Sequence, residues 1–280
     1  MARLQVPGGN QPPIMDGQVD FSGGQNSFMP ARRLAPNECQ RMLNCDIRRM
    51  GDVVTRRGVR ALGWPAAAPI TGLGYFDVGG VEKLVRVCAG GGGAGEAGGV
   101  QMHDADPAHV WQPLTGWSPE LWSPTPSAHC SVVQGNNKLF LSDGSGIRVW
   151  DGAVFSTMQA AYAEPLGCPI LVYATNRLIA TGCAEYPDTV WFSNFLEEDR
   201  WSGEQSLRVG AGDGDPITGL GLWTDRLLVV FKRSSVYIVE IDPMVPVSEF
   251  PVRVVSQSIG CVGPRAFAKV GKDLWFYSDY

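Results

Sequence analysis

The sequence predicts an all-β protein, a β-propeller of about five blades with an extended N-terminal arm. Three observations predict it. The 280 residues include 35 Gly, 20 Pro and 9 Trp, which suits many short strands joined by tight turns. The pentapeptide Ile70-Thr71-Gly72-Leu73-Gly74 returns unchanged as Ile217-Thr218-Gly219-Leu220-Gly221, 147 residues later. A polar or charged residue followed by Leu opens an apolar run at Lys83-Leu84, Lys138-Leu139, Arg177-Leu178, Arg226-Leu227 and Asp273-Leu274, at intervals of 55, 39, 49 and 47 residues. A period of roughly 40 to 50 residues is that of a four-stranded blade, and the pentapeptides then stand three blades apart.

Residues 1–31, rich in Gly, Pro, Gln and Asn, read as an extended arm that orders on meeting a partner. Residues 32–62 hold a basic collar and two short strands, Cys45 to Ile47 and Val53 to Arg56. These strands are placed to complete the blade begun by Phe267 to Ala268 and Leu274 to Tyr277; the alternative is a chain that stops in mid-blade at Tyr280. Residues 63–280 carry the blades.

Within the second blade the expected strands are Cys130 to Val133, Leu139 to Ser142, Ile147 to Trp150 and Val154-Phe155. Turns at Gly135-Asn136-Asn137, Asp143-Gly144-Ser145-Gly146 and Asp151-Gly152 separate them, which is a hairpin pattern. The fourth blade reads Ile217 to Trp223, Leu227 to Phe231, Ser235 to Glu240 and Val252 to Val255. Ala89 to Gly99, with seven glycines in eleven residues, reads as a loop inserted into the first blade. No amphipathic helix longer than two turns is expected beyond Pro65.

Charge is unevenly spread. The chain carries -5 overall, yet residues 32–60 carry +5 through eight arginines, leaving -9 on residues 61–280. The mild total argues against a generic nucleic-acid coat, and the collar reads as a contact for a negatively charged partner or as a solvated face. Arg32, Arg33, Arg48, Arg49, Arg56 and Arg57 are its candidate partner-contact residues. The seven scattered cysteines include no Cys-x-x-Cys pair and read as reduced core residues. The N-terminus lacks the apolar run of a secretory signal, and no stretch approaches the roughly 18 apolar residues of a spanning helix, so a cytoplasmic site of synthesis and no membrane insertion are expected.

Candidate chemistry is sparse. His103, Asp104, Asp106 and His109 offer metal-ligand types at loop spacing, but nothing converges them, and a solvated blade-edge turn is the expectation. His129 beside Cys130 suggests a thiol nucleophile; as strand neighbours they are expected on opposite faces. Gly210 to Asp215 lacks the Lys-Ser/Thr of a phosphate loop and the distal Glu of a calcium loop, and reads as a turn feeding Ile217. Trp150-Asp151 occurs once and reads as blade packing. The expectation is a non-enzymatic protein with no catalytic residue, metal or cofactor. A propeller binding module for glycan or protein ligands, using Trp117 and Trp122 as an exposed pair, is the alternative function.

Several segments carry a family resemblance. Asp20-Phe21-Ser22-Gly23-Gly24, Leu34-Ala35-Pro36-Asn37-Glu38, Leu43-Asn44-Cys45-Asp46-Ile47 and Thr55-Arg56-Arg57-Gly58 lead the chain. Asp188 to Asn194 with Glu197-Glu198-Asp199, then Ile217 to Ile241, then Gly260 to Ser278, follow. In this order they resemble the propeller-bearing tail hub or nozzle proteins of short-tailed bacteriophages, some of them described as packaged-DNA stabilisation proteins. The resemblance implies a structural protein of the virion tail, assembled in the host cytoplasm as a ring of commonly six copies. It implies contacts with the portal complex and head-to-tail adaptor and with tail needle or fibre proteins, and double-stranded DNA passing through the channel.

Overall fold

The computed structural model describes residues 62–279 apart from 67, 91–98, 105, 107–108 and 127; nearer the N-terminus it describes positions 24–25, 33, 35, 38–39, 45–48 and 52–55. The chain forms two compact units, Met1–Arg60 and Ala61–Tyr280.

In the first unit, β1 (Gly24–Gln25) pairs in parallel with β2 (Glu38–Cys39). The turn into β2 is closed locally: Ala35 accepts from the Glu38 amide at 3.0 Å, and the Glu38 carboxylate accepts from the Ala35 amide at 3.1 Å. The two strands expected in the collar form an antiparallel hairpin, β3 (Cys45–Arg48) and β4 (Asp52–Thr55), with Cys45 opposite Thr55.

The second unit is a succession of antiparallel meanders. The first blade comprises β5 (Ile70–Val78), β6 (Val81–Cys88), β7 (Gly99–His103) and β8 (Gln112–Pro113). The second comprises β9 (Ser131–Gly135), β10 (Lys138–Ser142), β11 (Ile147–Trp150) and β12 (Phe155–Thr157). The third comprises β13 (Ile170–Ala174), β14 (Arg177–Thr181), β15 (Thr189–Phe192) and β16 (Ser206–Arg208). The fourth comprises β17 (Ile217–Thr224), β18 (Leu227–Lys232), β19 (Val236–Glu240) and β20 (Val252–Ser256). A fifth sheet holds β21 (Phe267–Val270) and β22 (Asp273–Phe276). Among the described residues of this unit there is no α-helix, only short 3-10 turns. The fold is a β-propeller.

Both repeat registers have a structural cause. All five Leu positions fall on the second strand of a blade, where β10 and β14 bury almost every side chain. Successive side chains on a strand point to opposite faces, so such a strand is apolar throughout when both faces are covered. Leu139 and Leu141 of β10 face the first blade with Val85 and Val87, while Phe140 faces the third with Leu171 and Leu178. On β18, Leu228 and Val230 pack toward the third blade, and Val229 and Phe231 toward the fifth sheet. Fully burying one such side chain contributes about 1.5 to 3 kcal/mol.

The pentapeptide occupies the start of the first strand in blades one and four, and both copies contain a β-bulge at the Thr. Its glycines let neighbouring first strands approach. A Cβ on Gly74 would lie 2.3 Å from Val132 Cγ1, and one on Gly219 or Gly221 would lie 3.0 Å from the Phe267 ring. Hydroxyls on first strands also reach the segments that lead into the next sheet: Ser131 donates to the Pro169 carbonyl at 2.7 Å, and Thr218 donates to the Cys261 carbonyl at 2.7 Å. The expected Asn136-Asn137 turn has both residues at positive φ, 48° and 58°, the geometry that matches strand twist in a two-residue hairpin.

Most expected strands are found within one or two residues of their bounds; in the second blade the first strand starts at Ser131 rather than Cys130, and the last starts at Phe155, leaving Val154 exposed in the turn. Asp151 shapes that turn by accepting from the Ala153 and Val154 amides. The glycine-rich loop joins β6 to β7; residues 91–98 of it lie outside the described residues.

Candidate binding site at the mouth of the central cavity

The first strands or their lead-ins from all five sheets of the second unit border one cavity of about 430 Å³. Ile70, Val132, Ile170, Leu171, Leu220 and Phe267 supply apolar parts of its wall, and Thr71, His129, Ser131 and Arg265 polar ones. A second lobe of about 530 Å³ adjoins it and shares Ile70, Thr71, His129, Pro264 and Arg265.

Arg265 and His129 are the polar centre of this mouth. Arg265 leads into β21 from the Gly263-Pro264 turn, and His129 leads into β9. The arginine Nε–H donates to His129 Nδ1 at 2.8 Å, and its Nη2 donates to the Thr71 carbonyl. One guanidinium thereby ties the fifth sheet to the first and second blades. Thr71 also accepts from the Cys130 amide at 3.1 Å. His129 must be neutral at Nδ1 to accept, and burial, aided by the Arg265 charge, pulls its pKa down to about 4. No described carboxylate lies within salt-bridge distance of Arg265.

The residues singled out from the sequence fare differently. His129 and Cys130 are not neighbours within a strand, because β9 begins one residue later. The Cys130 thiol is 1% exposed and donates to the Ser131 carbonyl, and burial raises its pKa; a thiolate nucleophile does not form in such a setting. The cysteines within the second unit are free thiols, four of them buried and Cys183 half-buried.

Trp117 and Trp122 do not make an exposed platform, which corrects the expectation for glycan binding. Trp122 is 4% exposed and stacks on Phe155, while half-buried Trp117 donates to the Trp122 carbonyl at 3.1 Å and covers Gly99. Their Pro-flanked loop folds back as the lid of the core between blades one and two. Trp150 is likewise core, its Nε1–H donating to the Thr115 carbonyl at 2.9 Å.

Between β7 and β8, Asp104 and His109 are held together by a side-chain hydrogen bond. His109 Nδ1 lies 2.6 Å from Asp104 Oδ2; that hydrogen bond raises the histidine pKa and lowers the carboxyl's. His103 departs from the expected solvated turn, being buried with its Nε2 3.1 Å from the His109 carbonyl. No group of three or more His, Cys, Asp or Glu is placed to hold a metal among the described residues.

The Gly210 to Asp215 turn feeds β17 as expected, with an anchor the sequence hid. Fully buried Lys232 reaches both Asp213 carboxylate oxygens at 2.8 Å and the Gly210 carbonyl at 3.3 Å. Burial pushes Asp213 up, but the Lys232 hydrogen bond and charge hold it below its usual value. Of the collar arginines, Arg33 is exposed and Arg48 ends β3, its side chain undescribed; Arg32, Arg49, Arg56 and Arg57 lie outside the described residues.

No family model matches the chain, and no curated protein matches it. Solved structures with a similar arrangement include YCF48 bound to D1 peptide, 10% identical over 62% of this chain and 50% of that one, with a TM-score of 0.42. The extracellular domain of the hybrid two-component system BT4673 from B. thetaiotaomicron is 12% identical over 71% of this chain and 25% of that one, with a TM-score of 0.41. A glycoside hydrolase is 12% identical over 68% of this chain and 50% of that one, with a TM-score of 0.36. The chain thus aligns with a quarter to a half of each protein's length, and likenesses this distant carry no argument about function.

Proposed function

We propose that the chain is a non-catalytic binding module that receives a segment of a partner protein at the mouth of its central cavity. The observation that carries this reading is the cavity itself: a recess bordered by all five sheets and lined by apolar side chains and polar groups together, with one exposed guanidinium and no described carboxylate within salt-bridge distance of it. Recesses with mostly apolar walls and a few placed polar groups are what ligand sites require. The test is selection of a random displayed peptide library on the full chain. Enriched peptides should lose binding to an Ile70→Trp variant that fills the shared wall of the two lobes. Peptides that bind that variant equally, or no enrichment at all, would sink the reading.

A second reading rests on the motif resemblance. We propose that the binding propeller serves as a hub or nozzle in a phage tail, assembled as a ring below the portal and adaptor and helping to retain packaged DNA. The segments carrying the resemblance coincide with β15, with β17 to β19, and with the run from Gly260 through β22. The +5 of residues 32–60 against the -9 of residues 61–280 suits a collar that docks on an acidic adaptor surface while the body lets DNA pass, since duplex affinity comes from cations that neutralise phosphates. Light scattering decides it: a ring, or co-migration with a portal complex, supports the hub, and a monomer that never joins one overturns it.

A further inference from the structure

Building on the binding reading above, we infer that the group anchoring the ligand is a carboxylate, presented by an acidic side chain between apolar residues of a partner polypeptide. The argument starts from the donors of Arg265. A guanidinium carries five N–H groups in a rigid fork, and here its Nε/Nη2 edge is spent on His129 Nδ1 and the Thr71 carbonyl. Those two acceptors fix the plane of the group. The end-on Nη1/Nη2 pair remains, and two parallel N–H donors are what a carboxylate accepts as a bidentate partner. No described carboxylate supplies that partner from within the chain.

The surroundings choose between anions. Beside Arg265 the lining combines the polar Thr71, His129 and Ser131 with apolar side chains, among them Ile70, Val132, Ile170, Leu171, Leu220 and Phe267, which match apolar neighbours on either side of an acidic residue. A duplex offers a row of phosphates and needs several Lys or Arg to hold it, whereas Arg265 is the one Lys or Arg lining the two lobes. The net -9 of residues 61–280 acts against acidic ligands at long range, but such fields are screened beyond about 8 Å at physiological salt. Recognition is therefore local, through contact with the fork. His129 is a positioning residue, holding the guanidinium through its neutral Nδ1.

The test uses the full chain and two pools of short fluorescein-labelled peptides that differ only at the centre, apolar-Glu-apolar against apolar-Gln-apolar. Fluorescence anisotropy should show the Glu pool binding at least about tenfold more tightly, as expected when a charge-assisted pair is replaced by a neutral one. That advantage should vanish in Arg265→Gln, shrink in Arg265→Lys, which keeps charge without the fork, and persist in Arg253→Gln, whose arginine lies 3.5 Å from Glu240 on β19. Thermal unfolding of each variant checks that the fold is retained, and Arg265→Lys carries the comparison if Arg265→Gln unfolds. Equal binding of both pools would overturn the carboxylate while leaving the binding reading in place. An advantage that survives in Arg265→Gln, or displacement of the Glu pool by a short DNA duplex, would also overturn it. Binding of neither pool would remove both proposals.

Discussion

His129 accepts a hydrogen bond only because its surroundings keep it neutral, and this has a consequence for stability. Its folded pKa of about 4 lies below the ordinary 6.5, so the unfolded chain binds the proton more readily. The stabilisation is present above pH 6.5 and is lost as pH falls from 6.5 toward 4. His109 has the opposite sign: its raised pKa gives stability that is complete below 6.5 and lost as pH rises through the folded value. The depressed Asp104 and Asp188 lose their contributions as pH falls through values below 3.8, outside the His129 window. Urea unfolding should therefore show wild type losing about 1 to 2 kcal/mol between pH 6.5 and 4, a figure already reduced for solvent screening at this half-buried site. His129→Gln should flatten that slope, and an unchanged slope would remove the account. The sequence placed His129 beside the wrong partner, because adjacency shows Cys130 whereas the ring brings Arg265 from 136 residues away. Lys232 was equally hidden: it lies one residue beyond the expected strand Leu227 to Phe231, and only the folded turn supplies Asp213.

At the level of elements, the repeat was legible because every blade meets the same demand. A second strand covered on both faces is apolar throughout, so Leu84, Leu139, Leu178, Leu227 and Leu274 stand at corresponding places, although the two outer blades cover their strands less completely. The Trp117 and Trp122 loop was misread because Pro and Ser flanks signal exposure, while the core between blades one and two needs a lid that no strand provides. The pentapeptide also conceals a difference between its copies. None of its glycines has positive φ, so substitution is governed by space alone. An alanine Cβ at Gly74 meets Val132 Cγ1 at 2.3 Å and Cβ at 2.7 Å, and the β-branched side chain cannot swing away; at Gly221 the nearest atom is a Phe267 ring carbon at 3.0 Å. Gly74→Ala should cost about 1 to 3 kcal/mol as overpacking. Gly221→Ala should be within about 1 kcal/mol of wild type, because alanine recovers some of the conformational entropy a strand glycine loses. Chemical denaturation of the two variants checks the order, and equal losses would mean that the strands shift together rather than pack against fixed neighbours.

For the propeller unit as a whole, the arrangement of its apolar clusters locates its weakest seam. Phe76, Val85, Val87, Leu139, Leu141 and Trp150 join blades one and two; Phe140, Leu171, Leu178 and Trp191 join two and three. Val190, Phe192, Leu220 and Leu228 join three and four, and Phe231, Phe267 and Leu274 join four to the fifth sheet. Between the fifth sheet and blade one, no such cluster forms among the described residues. Blade one instead turns there the buried Arg86, held by Gln101 and the Trp64 carbonyl and stacked over Trp111 at 4.2 Å, and leaves Leu73 and Tyr75 exposed on β5. The described polar link across this seam is Arg265 to Thr71 and His129. Regions with few buried apolar contacts open locally at lower free energy than the core, so this seam should open first. Hydrogen exchange on Arg265→Ala should speed up in β5 and in residues 263–270 while β13 and β14 exchange as in wild type. A core change such as Leu178→Ala, costing about 2 to 5 kcal/mol through the cavity it leaves, should instead accelerate exchange throughout the unit. Uniform acceleration in Arg265→Ala would mean that the ring opens only as one cooperative body, whereas acceleration confined to the seam would make its mouth the adjustable part of an otherwise fixed ring, at the place where the proposed ligand is received.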